Sequence, residues 1–227
     1  MTTFFLRKKI YTAIATSICF LFVVLSLLYG VFLRRTYKVV LDTAFYLLVS
    51  EETHLEVGAE FIKLEGGAGY FLHMDGKDYL LMSVYLKEDE GESVCAALSG
   101  SGKSVRLLPI YVEHLYFKGG EKSAANTYVS ALNMLKSYLS VINACVTALD
   151  KGETQEGVKR ILMPLCRQLE YLAENYKTKY LAFSRGCGLL ATELRATCGE
   201  IVYARDLRYI ACGLVDEYLQ LCRQFAL

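Results

Sequence analysis

Only two prolines and three histidines occur among the 227 residues, and no C-x-x-C pair is present. His54, His73 and His114 stand at no spacing from the cysteines that resembles a zinc site. Of eight cysteines, Cys19 precedes Cys95, Cys145, Cys166, Cys187, Cys198, Cys212 and Cys222. An odd number beyond Cys19, without a compact framework, argues against a disulfide-stapled domain. The cysteines read as buried thiols acting as small hydrophobes. Free thiols fit a cytoplasmic compartment, or an outer face in an organism living without oxygen. No Ser/His/Asp order, activated cysteine, metal cluster or paired-carboxylate motif stands out, so the chain reads as non-enzymatic and free of cofactors. Gly102-Lys103-Ser104 lacks the earlier glycine of a phosphate-binding loop, because position 97 is Ala97, and here a helix leads into a strand. It reads as a turn.

Charge is missing altogether from Ile10 to Leu33, 24 residues bracketed by Arg7-Lys8-Lys9 and Arg34-Arg35. At 1.5 Å per residue a helix of that length reaches roughly 36 Å, enough for a hydrocarbon core of about 30 Å with some tilt. A cleavable signal has an apolar region of only about 7–15 residues and a small-residue exit. Residues 10–33 are therefore expected to be a retained transmembrane helix after a tail of residues 1–9. The flanks do not fix its direction, since Arg7, Lys8 and Lys9 balance Arg34, Arg35 and Lys38. A short tail left in the cytoplasm would place the remainder outside the cell membrane, whereas the thiols favour the inside. The expectation adopted is an extracytoplasmic one.

Six of the 25 Lys and Arg lie in those flanks, leaving 19 against 24 Asp and Glu in the rest of the chain. The soluble part is acidic and carries no basic stripe, so a nucleic-acid partner is excluded. The partner that the uncharged run itself points to is the membrane.

Ala44 to Val49 is a short apolar run that predicts a strand, and Ser50-Glu51-Glu52-Thr53 supplies a helix start. Gly66-Gly67 stops that helix. Gly69 to Met74 predicts a second strand, Asp75-Gly76 a hairpin turn, and Asp78 to Leu86 a third strand. Lys87 to Leu98 predicts a second helix, Ser99-Gly100-Ser101-Gly102 a break, and Val105 to Val112 a fourth strand. This order is βαββαβ, and its natural solution is a sheet with both helices on one face.

The segment from about Thr43 to Val112 resembles a SPOR domain, the peptidoglycan-binding module of bacterial division and sporulation proteins. Phe45-Tyr46-Leu47-Leu48-Val49-Ser50 stands where its first strand would be, and Gly66-Gly67-Ala68-Gly69-Tyr70 resembles the entry to its second. Asp75-Gly76-Lys77-Asp78-Tyr79-Leu80-Leu81-Met82 resembles its turn and third strand, and Glu88-Asp89-Glu90-Gly91-Glu92 the acidic start of its second helix. The resemblance implies a membrane-anchored cell-envelope protein of division or sporulation, holding glycan on the helix-free sheet face. By position that face would show Tyr46, Leu48, Ser50, Leu80 and Met82, with Tyr46 and Tyr70 as stacking surfaces. The family tends to place Gln or Arg where this chain has Leu48 and Leu80. Two readings follow: weak glycan binding, or a face covered by another element. The second leads to an alternative function, a non-enzymatic scaffold of a membrane complex with other envelope proteins as partners.

From Glu121 onward helical periodicity replaces strand signals. Ser123 to Leu149, Thr154 to Tyr176, Lys179 to Thr197 and Gly199 to Phe225 predict four amphipathic helices forming a bundle. Pro164 is expected to kink the second, and Gly186-Cys187-Gly188 to loosen the third. Tyr128, Tyr138, Tyr171 and Tyr218 fall at helix-periodic positions and read as half-buried packing residues. The expected architecture is thus α+β and membrane-anchored, with a βαββαβ domain of SPOR or RNP type at 42–115 and an all-α domain at 120–227.

Overall fold

The computed structural model describes residues 18, 21–26, 36–51, 55–118 and 122–224. Most of the apolar run at 10–33, and the tail before it, lie outside the described residues. Ile18 and residues 21–26 are helical, and all of them are exposed but Val24, which is half-buried. There the Ser26 hydroxyl donates to the Phe22 carbonyl at 2.7 Å.

The described chain follows as β1 (Thr36–Ser50), α1 (Leu55–Leu64), β2 (Tyr70–Met74), β3 (Lys77–Tyr85), α2 (Glu88–Gly100) and β4 (Val105–Lys118). Four helices complete it: α3 (Lys122–Asp150), α4 (Gln155–Tyr176), α5 (Leu181–Gly199) and α6 (Ala204–Arg223). The sheet has the order β2-β3-β1-β4, and every neighbouring pair is antiparallel. Helix ends follow the glycines. Gly66 sits at φ +90°, where an L side chain is strained, and closes α1 with Gly67 N–H donating to Ile62 O and Gly66 N–H to Lys63 O. Gly102 and Gly152 close α2 and α3 in the same way. At the start of α4 the Thr154 hydroxyl oxygen accepts from Gly157 N–H at 3.3 Å.

Both faces of the sheet are covered. On one side Leu48, Leu80 and Met82 form a small core with Ala59 and Ile62 of α1, joined by Val94 and Leu98 of α2. On the other, Phe45, Leu47, Val49, Leu72, Leu81 and Val84 belong to a large core that continues through α3 and α6 into α4 and α5. Helices α1 and α2 thus lie together on one face, as the βαββαβ order predicts, and α3 and α6 fill the face that they leave free, as the covered-face reading expects. One continuous core includes residues of both the 42–115 and the 120–227 segments.

Strands β1 and β4 outrun the predicted ones. Thr36 to Thr43 pairs with Val112 to Lys118, extending the ladder well beyond β3. The sequence pattern hides this, because Lys38, Asp42, Glu113 and His114 interrupt the apolar alternation. A register shift between Val40 and Thr43, with Asp42 at φ 45°, realigns the ribbon so that Val39 and Leu41 still pack against the core.

The bundle follows the predicted helices closely. Helix α4 runs through Pro164, whose ring is exposed, and α5 is continuous across Gly186 and Gly188. Tyr128, Tyr138 and Tyr218 are buried, but Tyr171 is exposed and is not a packing residue. Among the seven described cysteines all are free; six are buried and Cys95 is partly so. By length and composition, residues Ala125–Asp150 within α3 are apolar enough to cross a membrane. Here, however, Leu132, Leu135, Leu139 and Ile142 face the protein core while Asn133, Ser137 and Ser140 face outward.

Candidate functional site

Alternation along β1 decides where the expected glycan-binding residues point. Leu48, Leu80 and Met82 lie under α1 and α2, not on the helix-free face. Tyr46 and Ser50 share the Leu48 parity and are nearly buried, and the Tyr46 hydroxyl donates to Glu88 Oε2 of α2 at 3.5 Å. Tyr70 lies apart from them on edge strand β2. Its hydroxyl donates to Asp216 Oδ2 of α6 at 2.9 Å, and its ring meets Tyr209 edge-on at 5.0 Å. Burial and the Asp216 carboxylate hold the Tyr70 hydroxyl far above its ordinary range. The six residues thus form no common exposed platform. The physical reason for the misplacement is that Phe45 to Ser50 is buried on both sides, so its hydrophobicity carries no information about parity.

Open space lies elsewhere, in a cleft of about 690 Å³ where the α1–β2 turn, the end of β3, α2, α3 and α6 meet. Its floor is apolar, with Leu48, Met82, Val94 and Val146, and its rim is charged. Arg208 of α6 organises the rim: Nη1 donates to Gly66 O at 2.7 Å, and Nη2 to Asp150 Oδ2 at 2.5 Å. Lys103 pairs with Glu65 at 2.6 Å across the neighbouring edge. Asp89, Glu90 and Ser93 of α2 form the opposite wall. Burial raises the Tyr85 hydroxyl above its ordinary range, so it stays protonated at neutral pH. Asn143 Nδ2 is spent on the Val84 carbonyl at 3.1 Å.

Chemically the cleft is self-neutralising at its cations, Arg208 with Asp150 and Lys103 with Glu65. Among the described residues no three His, Cys, Asp or Glu side chains converge as metal ligands. Sequence reasoning missed Arg208 and Asp150 as partners because 58 positions separate them. Gly66-Gly67 and Asp150-Lys151-Gly152 were legible only as helix ends.

Arg208→Ala removes donors from the Gly66 carbonyl and from Asp150 at once. The expected cost is about 1–3 kcal/mol, seen as a lower denaturation midpoint of the full chain with unchanged slope. A midpoint equal to the wild type would show that the rim pairs add nothing to the junction.

No protein-family model matches the chain, nor does any curated protein or solved structure.

Proposed function

We propose that this chain is a single-pass bacterial cell-envelope protein of division or sporulation, whose SPOR-like module localises protein partners instead of holding glycan. The observation that carries this reading is the covered sheet. The face on which a module of that family would seat a sugar strand is occupied by Tyr218, Leu214 and the other inward side chains of α6, together with α3. Strand order β2-β3-β1-β4 supports the module's fold and says nothing of its ligand. The uncharged run at 10–33 supports an anchor, and we place the folded part outside the cell membrane. With glycan displaced from the sheet, the reading becomes that of a non-enzymatic scaffold acting through its outer surfaces.

Co-sedimentation of the detergent-solubilised full chain with purified peptidoglycan sacculi tests it. The expected result is no enrichment in the pellet, for the wild type and for Tyr46→Ala and Tyr70→Ala alike. Sedimentation that the tyrosine substitutions abolish would restore the glycan-binding function and reject the scaffold.

A further inference from the structure

The part of the β1–β4 ribbon that outruns β3 has one covered face and one partly open face, on which Lys38 and Val40 are exposed while Tyr116 and His114 are half-buried, with His114 Nδ1 turned out of solvent. Val39, Leu41, Leu115 and Phe117 turn inward, with the Phe117 ring against Tyr128 of α3 at 5.6 Å. Their neighbours in register, Lys38 opposite Tyr116 and Val40 opposite His114, turn outward. Helices α1 and α2 cover the other end of the sheet and do not reach these residues. Val40 is consequently 65% exposed, an unusual setting for a β-branched residue in a ladder, and Lys38 is exposed beside it.

Covalent continuity says what lies next to this face. Only Arg34 and Arg35 separate Leu33, the end of the uncharged run, from Thr36, the start of β1. At about 3.5 Å per residue Thr36 stands within roughly 11 Å of Leu33. Val40 follows about 13 Å further along the strand. A headgroup layer is only several ångströms thick, so a ribbon standing upright would lift Val40 clear of it, whereas one lying down keeps Val40 in contact. Between Leu33 and Asp42 the chain carries Arg34, Arg35 and Lys38 and no acid. A cation, an aromatic ring and an aliphatic side chain on one face suit the boundary between lipid headgroups and acyl chains. Glu113, adjacent to His114 Nε2 at 3.7 Å, is the nearest acid on β4.

We infer that the outer face of this ribbon, Lys38, Val40, His114 and Tyr116, lies on the surface of an anionic bilayer and holds the folded part against it. The inference rests on the membrane-anchor reading of the proposed function and adds an orientation to it. The anchor then acts as one end of a two-point attachment, and α1 and α2 are presented at a fixed height and angle.

The full chain is reconstituted into phosphatidylcholine–phosphatidylserine vesicles containing lipids spin-labelled near the glycerol backbone or deep in the acyl chain. An environment-sensitive fluorophore is placed on Leu21→Cys, Val40→Cys or Ser101→Cys, the last at the exposed α2–β4 turn. Cys19 and Cys95 are first replaced by serine, and the six buried native cysteines are spared by labelling only the folded protein. The inference predicts deep quenching at 21, shallow quenching at 40 and none at 101, with the signal at 40 lost on adding Lys38→Glu. Quenching at 21 without quenching at 40 overturns the docked ribbon and leaves the anchor standing. No quenching at either position removes the anchor and this inference together.

Discussion

Residues 36–118 produced without the four C-terminal helices are expected to self-associate instead of forming a monomeric module. Deleting α3 and α6 uncovers Phe45, Leu47, Val49, Leu72, Leu81, Val84, Leu115 and Phe117, all of them buried in the full chain. Each such side chain contributes about 1.5–3 kcal/mol when buried, and a contiguous patch of this kind drives association. Light scattering should report oligomers or aggregate, and an apolar dye should bind strongly. The same coupling appears in the intact chain through Phe45, which is fully buried and meets Tyr218 edge-on at 4.8 Å. Phe45→Ala is expected to cost about 3–5 kcal/mol and to lower a single unfolding transition that includes sheet and helices. A monomeric, dye-silent fragment, or two separate transitions in the variant, would show that the module is independent and that its sheet face can open.

Elements with strong local punctuation were legible. Gly66, Gly102 and Gly152 each mark a helix end because the backbone there needs a left-handed conformation, and Asp75-Gly76 marks the hairpin. The run from Gly69 to Met74 was legible as a strand, whereas its edge position shows only in the structure, where Leu72 alone is buried. What stayed hidden depends on contacts between distant segments. Phe45 to Ser50 is apolar at nearly every position, so nothing in it distinguishes the face toward Ile62 from the face toward Tyr218. A strand buried between two helical layers loses the alternation from which its register is read. The cleft was less legible still. Arg208 looks like any solvent-facing arginine of an amphipathic helix until the α1 C-terminus and Asp150 are brought beside it.

These two failures have one consequence for function. The βαββαβ order was readable, but the ligand surface depends on strand parity and on what the later helices cover, and neither is local information. The expected strand and helix order is therefore present as topology, while the surface left exposed is set by the helices that follow. Exposed apolar positions include Phe61 and Leu64 of α1, Phe71 of β2, Ile161 and Tyr171 of α4, Leu189 of α5 and Val40 of the projecting ribbon.

The second large effect is expected at Glu217, where a carboxylate is lodged between α6 and α5. Gly186 makes this possible: a Cβ there would stand 1.8 Å from Glu217 Oε1. Oε2 is buried without a hydrogen-bond partner. Burial, with Asp216 adding repulsion, pushes the Glu217 carboxyl up from 4.5 to about 7, and the Cys187 thiol beside it is raised as well. A raised carboxyl pKa favours the protonated folded state. Below pH 4.5 the contribution is fully present, because folded and unfolded chains both hold the proton. Between 4.5 and 7 the unfolded chain releases its proton first, so stability falls as pH rises, and above 7 the loss is complete. The fall attributable to this residue is about 2–3 kcal/mol. Glu217→Gln keeps the shape, cannot ionise, and should remove that slope, leaving the variant more stable than the wild type at pH 8 and little changed at pH 4. Denaturation midpoints across this range decide the matter. Parallel pH profiles for the two proteins would mean that Glu217 swings to solvent and that the notch at Gly186 serves only helix packing.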